Sequence, residues 1–330
     1  AIASVGMVPG VGFVDIAAST CVHTPLGAQY IRAQWVDEGR TIVAYDNAAH
    51  DYKILDLSGN VLREIATPPS DRDFFTAQVH SAHDGHTLIV ERDNSPMTLL
   101  DTRTGDERPL ALPGGTNSNV FFSPLGGQLI FTNQSGNAVS LMLSRSAGAP
   151  LATLVRSLAA DAFLSALAWS PDGSSILVWS GTSTAPCKPA PEPACFVATS
   201  NYEVVDTAGT VIWLMPLPDF GANDARVTSV EWAGAGRLLI SQPAVTAKDG
   251  TSLAAAARFV DVRTGAQMTA PSELADVAEL SPDGRFGVVS DGTGCAIIDI
   301  RSLARLLSIS CTITDWTDDS KTALTSFGGT

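Results

Sequence analysis

The sequence is poor in the features that would point to a membrane, a nucleic acid or a familiar active site. No apolar run approaches the ~20 residues that a membrane-spanning helix needs. "VIWLMPLP" (211–218) is typical, short and broken by proline. Charged residues make up only 16% of the 330, and the 20 Lys and Arg form no cluster. That excludes the cationic footprint of a nucleic-acid binder. The net charge of −14 also works against docking on anionic lipid. There is no GxSxG elbow, no Gly-rich phosphate loop ahead of a helix, and no CxxC or Cys/His spacing suited to zinc. No segment carries a helical stripe of any length. "SLAAAAR" (252–258) is the best helical candidate, and it is short. The opening "AIASVGMVPG" has no Met, basic region or cleavage motif, which reads as the start of a processed mature chain.

What the chain does have is apolar material and repetition. Hydrophobic residues are 45% of the total, ample for a packed core and incompatible with disorder. At 330 residues the chain exceeds the ~250–300 that one hydrophobic core sustains, so it must be two domains or a fold that grows by adding units.

Three markers recur in step. The first is a short apolar run ending in Asp, followed by a turn: "FVDIAAS", "ILDLSG", "LLDTRTG", "VVDTAG", "FVDVRTG" and "IIDIRS", at Asp15, Asp56, Asp101, Asp206, Asp261 and Asp299. Ser144 stands in the Asp place of "LMLSRSAG". Successive spacings are 41, 45, 43, 62, 55 and 38 residues. The second marker is a tight turn: "WVDEG", "AHDG", "FSPLG", "WSPDG", "WAGAG", "LSPDG" and "WTDDS". Its Pro presets φ and its Gly accepts a positive φ. The third is a strand-length apolar run after each turn, such as "TIVAY", "TLIVE" and "SILVW". Each unit therefore reads as four strands, with seven units at a period of about 40–45 residues, the pattern of propeller blades. A β-sandwich would also show frequent turns, but not three markers in register.

The "WSPDG" (169–173) and "LSPDG" (280–284) turns resemble those of WD40-like and TolB-type β-propellers, and the likeness runs nearly the whole length. The Trp-Asp dipeptide of true WD40 repeats is missing, which favours the loosely conforming bacterial type. A counterpart of the α/β domain that accompanies the propeller in TolB is missing too. The resemblance implies an all-β, seven-bladed propeller of four-stranded antiparallel blades in a single domain. The expected blades are 30–66, 74–112, 117–155, 162–217, 226–270, 274–310, and 311–330 joined by 1–28. The last unit has only two strands before Thr330, and "GFVDIA" near the N-terminus supplies its missing Asp phrase. The step from Asp299 round to Asp15 would be 46 residues, which fits the period.

In such a fold the repeated strands are scaffold and the loops carry specificity. Units four and five hold insertions between their second and third strands, and we expect them to project from one face. In "GTSTAPCKPAPEPACFVATS" (181–200), Cys187 and Cys195 enclose three prolines. A disulfide there would contribute ~2–3 kcal/mol and make a stiff, preorganised binding loop; protection against proteolysis is the plainer reading of the same feature. Cys295 and Cys311 fall on antiparallel neighbours and would form a second bridge, leaving Cys21 single. Two bridges argue for an oxidising, extracytoplasmic compartment; five reduced buried cysteines are the alternative.

We therefore expect a non-catalytic, protein-binding propeller with no cofactor, no nucleic acid and no membrane insertion. Its partner contacts would come from Asp71 and Arg72 in "TPPSDRDFF", Lys188 and Glu192 in the first insertion, and Lys248 and Asp249 in the second. An enzyme with a central-channel site (lactonase, lyase or metal-dependent hydrolase) and a structural subunit of an assembly are the alternatives. His80, His83 and His86 would gather on a helix, but on a strand end and turn they point apart. His50 and Asp51 read as a turn. The Asp phrases read as turn caps rather than paired catalytic carboxylates. "NQS" at Asn133 is a glycosylation acceptor if the chain passes through a eukaryotic secretory route.

Overall fold

A computed structural model describes residues 10–327 apart from 17, 19, 24–29, 37–38, 47, 66–76, 83, 93–95, 137, 145–151, 159–161, 184–196, 218–228, 243, 247–251, 291–294, 310–311 and 318. It is all-β, with seven four-stranded antiparallel sheets, the blades of a propeller. Blade 1 runs Tyr30–Trp35, Thr41–Asp46, Asp51–Asp56 and Val61–Ile65; blade 2 runs Ala77–Ser81, Thr87–Arg92, Thr98–Asp101 and Glu107–Pro109. Blade 3 is Thr116–Phe122, Leu129–Ser135, Ala138–Ser144 and Ala152–Leu158; blade 4 is Ala162–Trp169, Ser175–Ser183, Val197–Asp206 and Val211–Leu217. Blade 5 is Ser229–Trp232, Arg237–Gln242, Ala256–Asp261 and Gln267–Thr269; blade 6 is Val277–Leu280, Phe286–Ser290, Cys295–Asp299 and Arg305–Ile309.

Blade 7 is shared between the two ends of the chain. Thr312–Trp316 and Thr322–Phe327 supply its first two strands, and Gly10–Asp15 and Thr20–His23 supply the others. Six residue pairs, from Gly10↔Phe327 to Asp15↔Thr322, tie the ends together. This pairing gives each of these two strands a neighbour on both sides, so neither is left as a sheet edge.

Internal packing divides the chain into two units, residues 1–110 with 281–330, and residues 111–280. Within each, the core is a series of layers between neighbouring blades. Val43, Tyr45 and Ile54 of blade 1 meet Val79, Leu88 and Val90 of blade 2. Ile313, Trp316 and Ala323 of blade 7 meet Phe286, Val288 and Ile297 of blade 6. In the second unit Ile130, Leu141 and Leu143 of blade 3 meet Trp169, Ile176 and Val178 of blade 4. Leu177 and Val204 of blade 4 meet Trp232, Leu238 and Val260 of blade 5. Second strands are covered on both faces, which is why they read as unbroken apolar runs. Adding blades adds layers, so a chain this long needs no single oversized core.

The best helical candidate in the sequence, 252–258, is not a helix. Ser252–Leu253 and Ala256–Asp261 are strands, the second paired with Arg237–Gln242. Burial alternates from Ala256 to Phe259, and this sheet pairing overrides alanine's helix preference. Among the described residues, helix is confined to one 3₁₀ turn, Ser272–Asp276.

Candidate functional site

The two ends of each blade differ chemically. At one end, the polar side chains are spent on turns. Asp15, Asp56, Asp101, Asp206, Asp261 and Asp299 each accept backbone N–H bonds from residues two to four ahead, at 2.8–3.2 Å. These bonds favour the ionised form. The side-chain amide and N–H of Asn60 hold the Asp56 carboxyl below its usual range, as the N–H of Thr264 does for Asp261 and that of Ser302 for Asp299. The turns after the first strands repeat a second device. Ser170 Oγ donates to Asp172 and accepts from Ser175 N; Ser281 with Asp283 and Phe286, and Thr317 with Asp319 and Thr322, do the same. Neighbouring turns also touch: Asp283 N donates to Ser320 Oγ at 3.0 Å, and Trp169 Nε1 donates to the Phe121 carbonyl at 3.1 Å. This end is scaffold.

The other end holds the variation. The second-to-third-strand connections are residues 47–50, 93–97, 136–137 and 291–294 in blades 1, 2, 3 and 6, but 184–196 and 243–255 in blades 4 and 5. Blade 4 rises toward its insertion on unusually long strands of 9 and 10 residues, paired from Ser175↔Asp206 to Ser183↔Val197. The blade 5 insertion contains its own short ladder, Val245↔Leu253 and Thr246↔Ser252. Lys188, Glu192, Lys248, Asp249, Cys187 and Cys195 belong to these insertions but lie outside the described residues, as do Asp71, Arg72 and Cys311. Cys295 is buried at the head of the third strand of blade 6.

Below the roots of these insertions, blades 4 and 5 face each other across a row of large side chains. Trp179, Tyr202 and Met215 are register partners on three adjacent strands of blade 4, so they share a face. Trp179 is 37% exposed and stacks at 4.5 Å on Phe163. Tyr202 and Met215 pack against the layer built with Val230, Ile240 and Val260 of blade 5. From blade 5, Arg258 reaches across and places Nη2 3.3 Å from Met215 Sδ. Burial, with a contribution from the charge of Glu231, raises the Tyr202 phenol.

A second set of residues, His80 apart, escaped the sequence reading. The position just before the last residue of each first strand is occupied by Gln34, Phe121, Ala168, Glu231, Glu279 and Asp315 in blades 1, 3, 4, 5, 6 and 7, with His80 in blade 2, and all seven are half-buried. The carboxyls fall on three consecutive blades. Their signal was present, one residue ahead of the turn marker in "EWAGAG", "ELSPDG" and "DWTDDS". Asp315 accepts the Trp35 N–H at 2.7 Å. Burial pushes the Glu231 carboxyl up to about 7, against a bond from Ser229 Oγ that favours ionisation. Burial pushes His80 down.

The remaining candidates are structural. His86 sits in a turn with Nδ1 on the Asp84 carbonyl, apart from His80 on its strand, and His83 lies outside the described residues. Among the described residues no three His, Cys, Asp or Glu side chains group as metal ligands. His50, at φ +56°, meets Tyr45 Oη, and Asp51 pairs with buried Lys53, which Glu64 also holds. Asn133 is 6% exposed, its amide donating to Asn117 Oδ1 and the Gly114 carbonyl, so the folded chain offers no glycosylation acceptor there.

No protein-family model matches the chain, and no curated protein sequence is recognisably similar. Solved structures are similar in fold. A TolB-type protein from Agrobacterium tumefaciens superposes with TM-score 0.52 at 12% identity, covering 98% of this chain and 100% of its own. An oligogalacturonate lyase from Vibrio parahaemolyticus gives 0.56 at 10% identity, with 97% and 96% covered. The β-propeller domain of Cps50 (Swd1) from Myceliophteria thermophila gives 0.51 at 10% identity, with 93% and 98% covered. At this identity the likeness carries the β-propeller fold alone.

Proposed function

We propose that the protein is a non-catalytic binding module, working outside the cytoplasm, that docks a partner protein through the insertion-bearing ends of blades 4 and 5. One observation carries the reading: of the second-to-third-strand connections in blades 1–6, only these two are enlarged, and the strands that lead into them belong to adjacent blades whose facing surfaces present Trp179, Tyr202 and Arg258. Trp, Tyr and Arg are the side chains that most often dominate binding energy at protein interfaces. The Cys187–Cys195 pair would stiffen the first insertion and lower the entropic cost of docking. A thiol count on denatured, unreduced protein tests the compartment, since reduced cysteines would remove its support. The docking face is tested by replacing residues 183–198 with a short Gly-Ser link in the full chain and comparing bound partners. Partners should be lost; an unchanged set refutes the proposal.

A second reading, an enzyme, is favoured by Glu231, a half-buried carboxyl brought near neutrality at the same strand position as Glu279 on the next blade. A carboxyl poised near pH 7 suits acid–base chemistry, and one of the similar folds belongs to a lyase. Turnover abolished by Glu231→Gln in a chain whose docking is intact would replace the first reading with this one.

A further inference from the structure

We propose that the facing surfaces of blades 4 and 5 around Trp179, Tyr202, Met215 and Arg258 receive a carboxylate-bearing peptide segment of the partner, its Asp, Glu or C-terminal carboxylate on Arg258 and an adjacent apolar side chain against Trp179. This rests on the protein-docking reading above and specifies its chemistry.

The argument begins with charge. The chain carries 34 acidic residues against 20 basic ones, so carboxylates are plentiful. Arg92, Arg103 and Arg285 each hold one, on Glu107, Asp101 and Asp299. Arg258 does not. Among the described residues its polar contact is the thioether of Met215, a weak acceptor, and its buried Nε–H has no acceptor at all. A buried Nε–H with no acceptor is costly, and a planar carboxylate is the ligand that the forked Nη donors of the same guanidinium fit.

The rest of the lining decides between a peptide and an acidic sugar. Trp179, Phe163 and Met215 are apolar, and Arg258 adds one cation. A sugar needs several polar partners for its hydroxyls, and beside Arg258 the named lining adds one hydroxyl, that of Tyr202; Phe163 also lies against the Trp179 ring, tilted at 56°. An apolar side chain beside a carboxylate needs only what is present: exposed aromatic surface and one fork of donors.

The test uses the full chain, immobilised, against a phage-displayed random peptide library, with an array of acidic oligosaccharides in parallel. Enriched peptides should share an Asp, Glu or free C-terminus next to an apolar residue. Replacing that acid by its amide should weaken binding by about tenfold or more, Arg258→Met should do the same, and the two together should cost little more than either. Trp179→Ala, with folding checked by circular dichroism, should weaken binding independently of the acid. Peptides lacking an acidic group, peptides indifferent to Arg258→Met, no enriched peptide, or oligosaccharide binding at Arg258 instead would each overturn the inference. Partners that need residues 183–198 but ignore Arg258→Met would sink the Arg258 site and leave the docking reading standing; partners indifferent to both would sink both.

Discussion

Glu231 should make this protein less stable as the pH rises from about 4.5 to neutrality, and Glu231→Gln should abolish that loss. Burial raises its carboxyl from an ordinary 4.5 to about 7. Below pH 4.5 the folded and unfolded chains both hold the proton, and the group costs nothing. Between 4.5 and 7 only the folded chain holds it, so each pH unit removes ~1.4 kcal/mol of stability. Above 7 both have released it, and the accumulated cost is about 3 kcal/mol. The glutamine variant keeps the shape of the side chain and a carbonyl for Ser229 Oγ without an ionisable proton. Urea denaturation at about pH 5.5 and pH 8 spans most of the window, and the wild-type chain should lose about 2 kcal/mol more than the variant between those values. At pH 8 the variant should therefore be the more stable protein, an unusual outcome for a mutation in a packed strand. If the two chains follow the same pH dependence to within ~0.5 kcal/mol, Glu231 is not desolvated as described, and the case for it as a poised acid goes too.

Two further predictions concern the scaffold. Ser170→Ala and Ser281→Ala should each cost ~1–3 kcal/mol in urea denaturation, because each hydroxyl satisfies a buried backbone N–H, on Ser175 and Phe286; the exposed Ser174→Ala should stay within ~0.5 kcal/mol. Gly173→Ala should cost more than Gly265→Ala. Both sit at similar positive φ, +64° and +70°, and share a strain of ~1 kcal/mol. Only at Gly173 would the new methyl fall 2.9 Å from Ser123 Oγ of the neighbouring blade, and equal costs would refute the interlocking of those two turns.

Much of the architecture was legible because the signals behind it are local. A turn needs its Gly or Asp within a few residues, and a strand covered on both faces must be apolar throughout, so "LSPDG", "FVDVRTG" and "TLIVE" announce turns and strands without reference to the rest of the chain. Repetition supplied the fold, and the incomplete last unit supplied the pairing of Gly10–Asp15 with Thr322–Phe327. The alanines of 252–258 show the limit of local propensity, since their intrinsic helix preference is worth less than the hydrogen bonds offered by Arg237–Gln242.

The sequence alone thus determined what each segment is: seven repeats of four strands, acid-capped turns at one end and insertions at the other. It could not determine what meets what between blades. Glu231 is an ordinary glutamate until burial removes its water, and Arg258 an ordinary arginine until Met215, rather than a carboxylate, is found against it. Solvation and pairing are set by neighbours tens of residues away in the chain, and only the folded arrangement brings those neighbours near.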